Sequence, residues 1–238
     1  MRIGPFLCFA VAAVMTTGCA DDGARPPDAA PLFYPLTLGN AWLYDYTLII
    51  LFYDVATGKE LRADTLTGTG DVRLTGEETI SDTPYLIETT TIQADTASDT
   101  SWVRLRQDDN GLYRALVPTN LPPAITSPST PPTELTRLRY PLQPGAEWTI
   151  YTGPPTITAT VEALDTLTTP GGTFAAYRVA VRASDDGPDD WIRIWYTRSG
   201  KIHEIRHNEV IAVDPSTNTQ TRIITEEIEV LTQVTLEN

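Results

Sequence analysis

Beyond residue 19 the chain contains no cysteine; its two, Cys8 and Cys19, both fall at the amino terminus. A disulfide framework is therefore excluded, and the fold must rest on its own apolar core. Histidine is nearly as scarce: His203 and His207 are the only two. Positive charge is in deficit, with 17 Lys and Arg against 31 Asp and Glu, a net charge of -14. A field of that sign repels phosphates and anionic headgroups, which excludes nucleic acid as a partner and electrostatic docking to a membrane surface. GxSxG, GxGxxG and P-loop signatures are missing, and with them the nucleophile elbow and the phosphate cradles those motifs build. No segment sustains a helical period. What remains, 41% hydrophobic and 20% charged residues in 238, is the composition of a globular protein.

Residues 1–18 read as a signal peptide. Arg2 supplies a positive start, and Ile3 to Met15 is apolar apart from Gly4 and Pro5. That stretch falls short of the roughly 20 residues a membrane span needs. Thr16-Thr17-Gly18-Cys19 follows and resembles the lipobox of bacterial lipoproteins, with Thr16 standing where that family usually carries Leu. The resemblance implies lipid attachment at Cys19, export, and a membrane held through the N-terminal lipid. A thioether-linked Cys19 also spares an exported chain a free thiol. Ala20 follows the cysteine rather than Asp; by resemblance to Gram-negative sorting this implies the outer membrane. Residues 19–31 are the lipidated cysteine and a tether, acidic and rich in Ala, Gly and Pro, unable to bury a core.

The main organising feature is internal repetition. Tyr34-Pro35-Leu36, Gly39 and Trp42 recur as Tyr140-Pro141-Leu142, Gly145 and Trp148. The segment around Tyr85 has a counterpart around Tyr177. Trp102-Val103-Arg104-Leu105, with Gly111 nine residues after the Trp, matches Trp191-Ile192-Arg193-Ile194 and Gly200. These blocks divide the chain into a first half, 32–117, a Pro-rich linker, 118–137, and a second half with a C-terminal hairpin, 138–238.

Strand signals dominate. Asp109-Asn110-Gly111 reads as a hairpin whose Asn-Gly supplies positive φ. Ala56-Thr57-Gly58, Pro170-Gly171-Gly172 and Asp214-Pro215 mark further turns. From 222 to 236 the even positions are mostly apolar and the odd ones mostly polar, predicting one buried face on a strand long enough to bend or bulge. In the Trp-x-Arg strands, Val103, Leu105, Ile192, Ile194 and Tyr196 form one apolar face. Trp102, Arg104, Trp191, Arg193 and Trp195 form the other, suited to an aromatic–arginine ladder or a ligand-facing wall. The fold class is all-β: an antiparallel curved sheet, half-barrel or two packed sheets, from two related tandem halves plus a C-terminal hairpin.

His203-Glu204-Ile205-Arg206-His207 matches HExxH, the zinc-peptidase pattern. That chemistry needs a helix, where residues four apart sit one turn from each other and converge on one ion, with the Glu as general base. On a strand the two imidazoles lie about 13 Å apart. Gly200 and the matching segment Leu112-Tyr113-Arg114-Ala115 predict a strand, and a polar face carrying solvated histidines. Asp185, Asp186, Asp189 and Asp190 flank Gly187-Pro188 in a turn that could offer oxygen ligands to calcium or simply be a solvated loop. The residues thus predict no catalytic side chain, no metal and no cofactor.

With these blocks in place, the chain resembles bacterial envelope lipoproteins of the PLxxGxxWxY type. The matching residues are Pro35, Leu36, Gly39, Trp42 and Tyr44, then Gly172-Thr173-Phe174 with Tyr177 and Val179, then Trp195-Tyr196 with Gly200 and Ile202. The resemblance implies a curved antiparallel sheet or half-barrel, similar to periplasmic lipoprotein-carrier folds, and brings no catalytic residue with it. The functional expectation is a lipid-anchored, non-catalytic envelope module that binds or scaffolds a protein or an apolar ligand. Two alternatives are a zinc-dependent hydrolase using His203, Glu204 and His207, and a purely structural surface module.

Overall fold

The computed structural model describes residues 32–95, 97–117 and 132–237. The signal peptide, Cys19, the tether and residues 118–131 lie outside them.

Twelve antiparallel strands form one sheet. They are β1 (Ala41–Asp54), β2 (Glu60–Ile80), β3 (Thr83–Ala94), β4 (Ala97–Asp108), β5 (Gly111–Ala115), β6 (Glu134–Arg139), β7 (Glu147–Tyr151), β8 (Ile157–Thr169), β9 (Gly172–Ala183), β10 (Trp191–Thr197), β11 (Gly200–Val213) and β12 (Gln220–Thr235). Each is paired with its neighbour in sequence except β6 with β7, and β12 closes back onto β1, giving the order β6-β5-β4-β3-β2-β1-β12-β11-β10-β9-β8-β7. The sheet curls into a nearly closed barrel. Its two edges meet where the Trp148 indole on β7 donates to the carbonyl of Thr136 on β6, at 2.9 Å. One continuous sheet is therefore realised rather than two packed ones. The strand β6 takes in residues 134–137, which the sequence places in the linker.

The duplicated motif builds the same local structure twice. Gly39 and Gly145 both sit at positive φ, +93° and +86°. Each donates its N–H across the sheet, Gly39 to Leu74 at 2.9 Å and Gly145 to Val161 at 2.8 Å. Leu74 and Val161 return the bond to Asn40 and Ala146, both at 2.9 Å. Register slips then follow both acceptors, at Leu74/Gly76 and Val161/Ala163. Trp42 and Trp148 are each the second residue of their strand and both are buried. The tyrosine pair does not correspond in this way. Tyr85 belongs to a small cluster with Ile80 and Ala115, while Tyr177 packs on the main core and meets Phe33 edge-on at 5.3 Å.

One end of the barrel is filled by aromatics. Phe33 and Tyr34 precede β1 and tuck inward, Tyr34 stacking on Trp42 at 5.0 Å and Phe33 reaching Tyr140 at 6.0 Å. Together with Tyr44, Leu138, Leu142, Trp148 and Tyr196 they make the core.

Two turn glycines act through close approach. At the β4–β5 turn neither Asn110 nor Gly111 has positive φ. Instead the Asp108 carboxylate accepts from the N–H groups of Asn110 and Gly111, at 2.8 and 3.2 Å. A Cβ on Gly111 would overlap the Leu138 carbonyl of β6. The Asn-Gly step thus lets β6 approach rather than supplying a left-handed turn. Gly200 combines both constraints: φ is +108°, and a Cβ would stand 2.7 Å from the Trp42 indole nitrogen, which donates to Ser199. Gly200→Ala is expected to cost about 3 kcal/mol of unfolding free energy by denaturant titration, from left-handed strain plus displacement of a packed ring. Gly58→Ala, at φ +68° with open space around it, should cost about 1 kcal/mol. Equal losses would refute the close-approach account.

Candidate functional site

Alternation along the strands decides which side chains face the barrel axis. From β4 and β10 these are Ser101, Val103, Ile192, Ile194 and Tyr196; from β9, Val179 and Val181; from β3, Glu88, Thr90 and Ile92. They enclose a cavity of about 400 Å³ above the aromatic end. The apolar face of the Trp-x-Arg strands is therefore the inner wall, and the Trp and Arg side chains face outward.

On β12 the assignment of faces departs from the sequence expectation. The even, apolar positions were expected inside, yet odd Glu227 and Glu229 line the cavity. A register slip opposite Leu43/Tyr44 leaves Thr232 unpaired on β12, and its hydroxyl donates to the Leu43 carbonyl at 3.0 Å. This is the bulge expected of so long a strand. Hydrophobic alternation alone points the wrong way because the interior is walled by ion pairs as well as by aliphatics.

Lys201, buried at the start of β11, donates to Glu204 at 2.7 Å and to Glu229. Its ammonium also lies over the Tyr44 ring, 5.0 Å from the centroid. Burial alone would pull the Lys201 pKa down, but the two carboxylates overcome it and hold the amine charged far above its ordinary range. Burial likewise opposes ionisation of Glu204, yet Lys201 and Arg206 outweigh it and lower its pKa to about 2. Arg206 donates to Glu204 at 2.5 Å and stands 3.8 Å from Glu227; its side chain is 51% exposed, which marks where the cavity opens to solvent. Across the barrel, Glu88 accepts from the Tyr34 hydroxyl and pairs with Arg137 at 3.2 Å. Arg137 is the unpaired residue of a register slip between β5 and β6 and lies over the Tyr34 ring at 4.9 Å. Arg114 on β5 faces the same space and has no ion-pair or hydrogen-bond partner among the described residues.

The HExxH segment is strand, within β11. His203 and His207 point outward while Glu204 points into the barrel, so the three do not converge. The histidines are not free in solvent, as the polar-face reading expected, but are packed on tryptophans. His207 stacks on Trp191 with centroids 5.4 Å apart and planes 2° from parallel, and His203 meets Trp195 at 4.8 Å. His203 Nδ1 is 2.7 Å from the Glu229 carbonyl and His207 Nδ1 is 3.0 Å from Glu226. Burial presses the His203 pKa below its usual value. Arg193 covers Trp191 at 4.5 Å and pairs with Glu162 at 3.1 Å, completing an outer aromatic–arginine ladder. In the first half Arg104 is instead fully buried on Glu78, at 2.9 Å. Among the described residues no group of three or more His, Cys, Asp or Glu is placed to hold a metal. Asp186 and Asp190 accept backbone N–H groups of Ala183, Gly187 and Glu209, which makes them turn caps. Cys19 lies outside the described residues.

Sequence reasoning missed Glu88, Arg114 and Arg137. The available signal was parity: Arg114 shares a strand face with Leu112, two residues earlier, and Leu112 is fully buried.

No family model and no curated protein matches the sequence. Among solved structures, a Bacteroides fragilis chain named as an exported protein with a YmcC-like fold is similar over 87% of this chain and 100% of its own, at 14% identity and a TM-score of 0.38. A Parabacteroides distasonis chain named as a lipoprotein is similar over 87% of this chain and 99% of its own, at 14% identity and a TM-score of 0.35.

The Lys201 cluster predicts a signed pH effect. A carboxyl held below its ordinary 4.5 contributes stability that is fully present above that pH and lost as pH falls towards about 2. Lys201→Met removes the main cause of the depression and leaves buried carboxylates short of a partner, at a cost of about 3 kcal/mol near neutrality. In denaturant titrations the gap between the variant and the parent protein should be full at pH 6 and narrow markedly at pH 2.5, where Glu204 is already protonated in the unfolded chain and close to titrating in the folded parent protein. A gap independent of pH would contradict this reading.

Proposed function

We propose that this protein is a lipid-anchored, non-catalytic envelope module whose barrel interior takes up an apolar ligand. The observation that carries the reading is the cavity: about 400 Å³, within the 300–1,000 Å³ of ordinary small-ligand sites, and walled on one side by Val179, Val181, Ile192 and Ile194 of β9 and β10. Such a wall releases water when an apolar group replaces it. The carboxylates inside are engaged with Lys201, Arg137 and Arg206 rather than arranged as a nucleophile with a base, which supports binding over chemistry. Glu204, the residue a zinc hydrolase would use as its base, is spent on Lys201 and Arg206.

Lipid attachment at Cys19 would hold the barrel at the membrane through the tether of residues 20–31, raising the local concentration of any membrane-derived ligand. The Gly18-Cys19 junction supports this attachment, and Ala20 supports the outer membrane when the host is Gram-negative.

Two measurements test the reading. N-phenyl-1-naphthylamine, an uncharged apolar fluorophore, should bind the purified domain saturably with one site per chain. Ile192→Trp and Val181→Trp, which fill the cavity from adjacent strands, should each weaken that binding more than tenfold while circular dichroism stays β-rich. Absence of saturable binding, or unchanged binding in both variants, would overturn the reading. Separately, cells fed an alkynyl fatty acid should label the protein, and Cys19→Ser should abolish the label and shift the protein to the soluble fraction.

A further inference from the structure

We infer that the cavity selects amphiphiles with an anionic head, a carboxylate or a phosphate, and that Arg114 is the residue that receives it. The inference rests on the proposed binding of an apolar ligand in the same space and names the chemical class of that ligand.

Four acids and four bases line the cavity. Every acid is committed: Glu88 to Tyr34 and Arg137, Glu204 to Lys201 and Arg206, Glu229 to Lys201, and Glu227 to Arg206. Three of the bases are committed to those same acids. Arg114 alone has no carboxylate within ion-pair distance among the described residues. It cannot find relief in its neighbours, since Arg137 and Arg206 act on it as like charges and only the already engaged Glu88 opposes them. Burial and that repulsion together pull its pKa down from the ordinary arginine value. A half-buried guanidinium with five donors and no acceptor is costly to keep, and an incoming anion repays that cost with charge-assisted, bidentate bonds.

Position fits the class as well. Arg114 sits on β5 opposite Leu105 of β4 and Leu135 of β6. The aliphatic wall from β9 and β10 lies in the same cavity, so one molecule can meet the guanidinium at one end and Val181 and Ile192 along its length. A cationic or zwitterionic head finds no free acid. The net charge of -14 opposes anion approach over long range, but that field is screened beyond about 8 Å at physiological salt. Inside the cavity Arg114 is the one base that no carboxylate reaches among the described residues.

The test compares dodecanoate, dodecyl phosphate and dodecanol, which share a chain and differ in the head, by isothermal titration calorimetry on the parent protein, Arg114→Gln and Arg114→Lys. At least one anionic probe should bind ten- to hundred-fold more tightly than dodecanol. Arg114→Gln should erase that preference while binding dodecanol as the parent protein does, which shows the cavity intact. Arg114→Lys should keep part of it. A phosphate preference assigns a lipid headgroup as the source, and a carboxylate preference assigns a free fatty acid. Equal binding of all three probes to the parent protein would overturn the anionic class and leave the apolar-ligand reading standing. An anionic preference that survives Arg114→Gln would overturn the role of Arg114. Failure of all three probes to bind would overturn both readings.

Discussion

The contact on which everything else depends is the seam where Trp148 on β7 reaches the Thr136 carbonyl on β6. Every other strand is held to both its neighbours by a backbone ladder. At β6 and β7 the ladder stops, and two short strands face one another without backbone pairing. An open edge of this kind invites pairing with other chains. The indole bond and the aromatics beneath it bring the edges together without a ladder. Closure then fixes the meaning of strand alternation: one side chain in two points to the barrel interior, and its chemistry becomes the chemistry of a cavity.

Closure also explains why the interior tolerates charge. Lys201, Glu204 and Glu229 would be expensive inside a packed core, and replacing such a set with aliphatics often stabilises a protein. Their retention makes sense in a space that opens to water past Arg206 and is not filled by its own side chains. Lys201 and Arg206 hold three carboxylates between them, and the neighbouring wall on β9 and β10 is aliphatic. Arg114, the one lining base with no carboxylate partner among the described residues, then gives the cavity a direction. The outer surface follows another logic. There Arg193 covers Trp191, which stacks on His207, while His203 packs on the buried Trp195, joining β10 to β11.

Much of this was legible in the sequence, and the parts that were not have physical reasons. All-β character followed from turn residues and alternation, and the repeated Gly-x-x-Trp blocks announced matching loops at Gly39 and Gly145. The extended conformation of 203–207 followed from Gly200 and from the parallel with residues 111–115. The bulge in the last strand followed from its length. The face of β12 ahead of Thr232 was read in reverse, because Glu227 and Glu229 look like a solvated edge until their partners on β11 are known. Lys201, Glu204 and Arg206 are close in sequence, but Glu88 meets Arg137 across 49 positions and Lys201 meets Glu229 across 28, so no local pattern could reveal those partners. Asn110-Gly111 marked a real turn for another reason, since the approach of β6 is invisible from β4 and β5 alone.

Indole proton spectroscopy of Trp148 in solution tests the closed barrel most directly. The account predicts slow solvent exchange of the Nε1 proton and nuclear Overhauser contacts from it to protons of residues 136 and 137. Rapid exchange with no contact across the seam would show an open sheet, with no enclosed cavity for Arg114 to face.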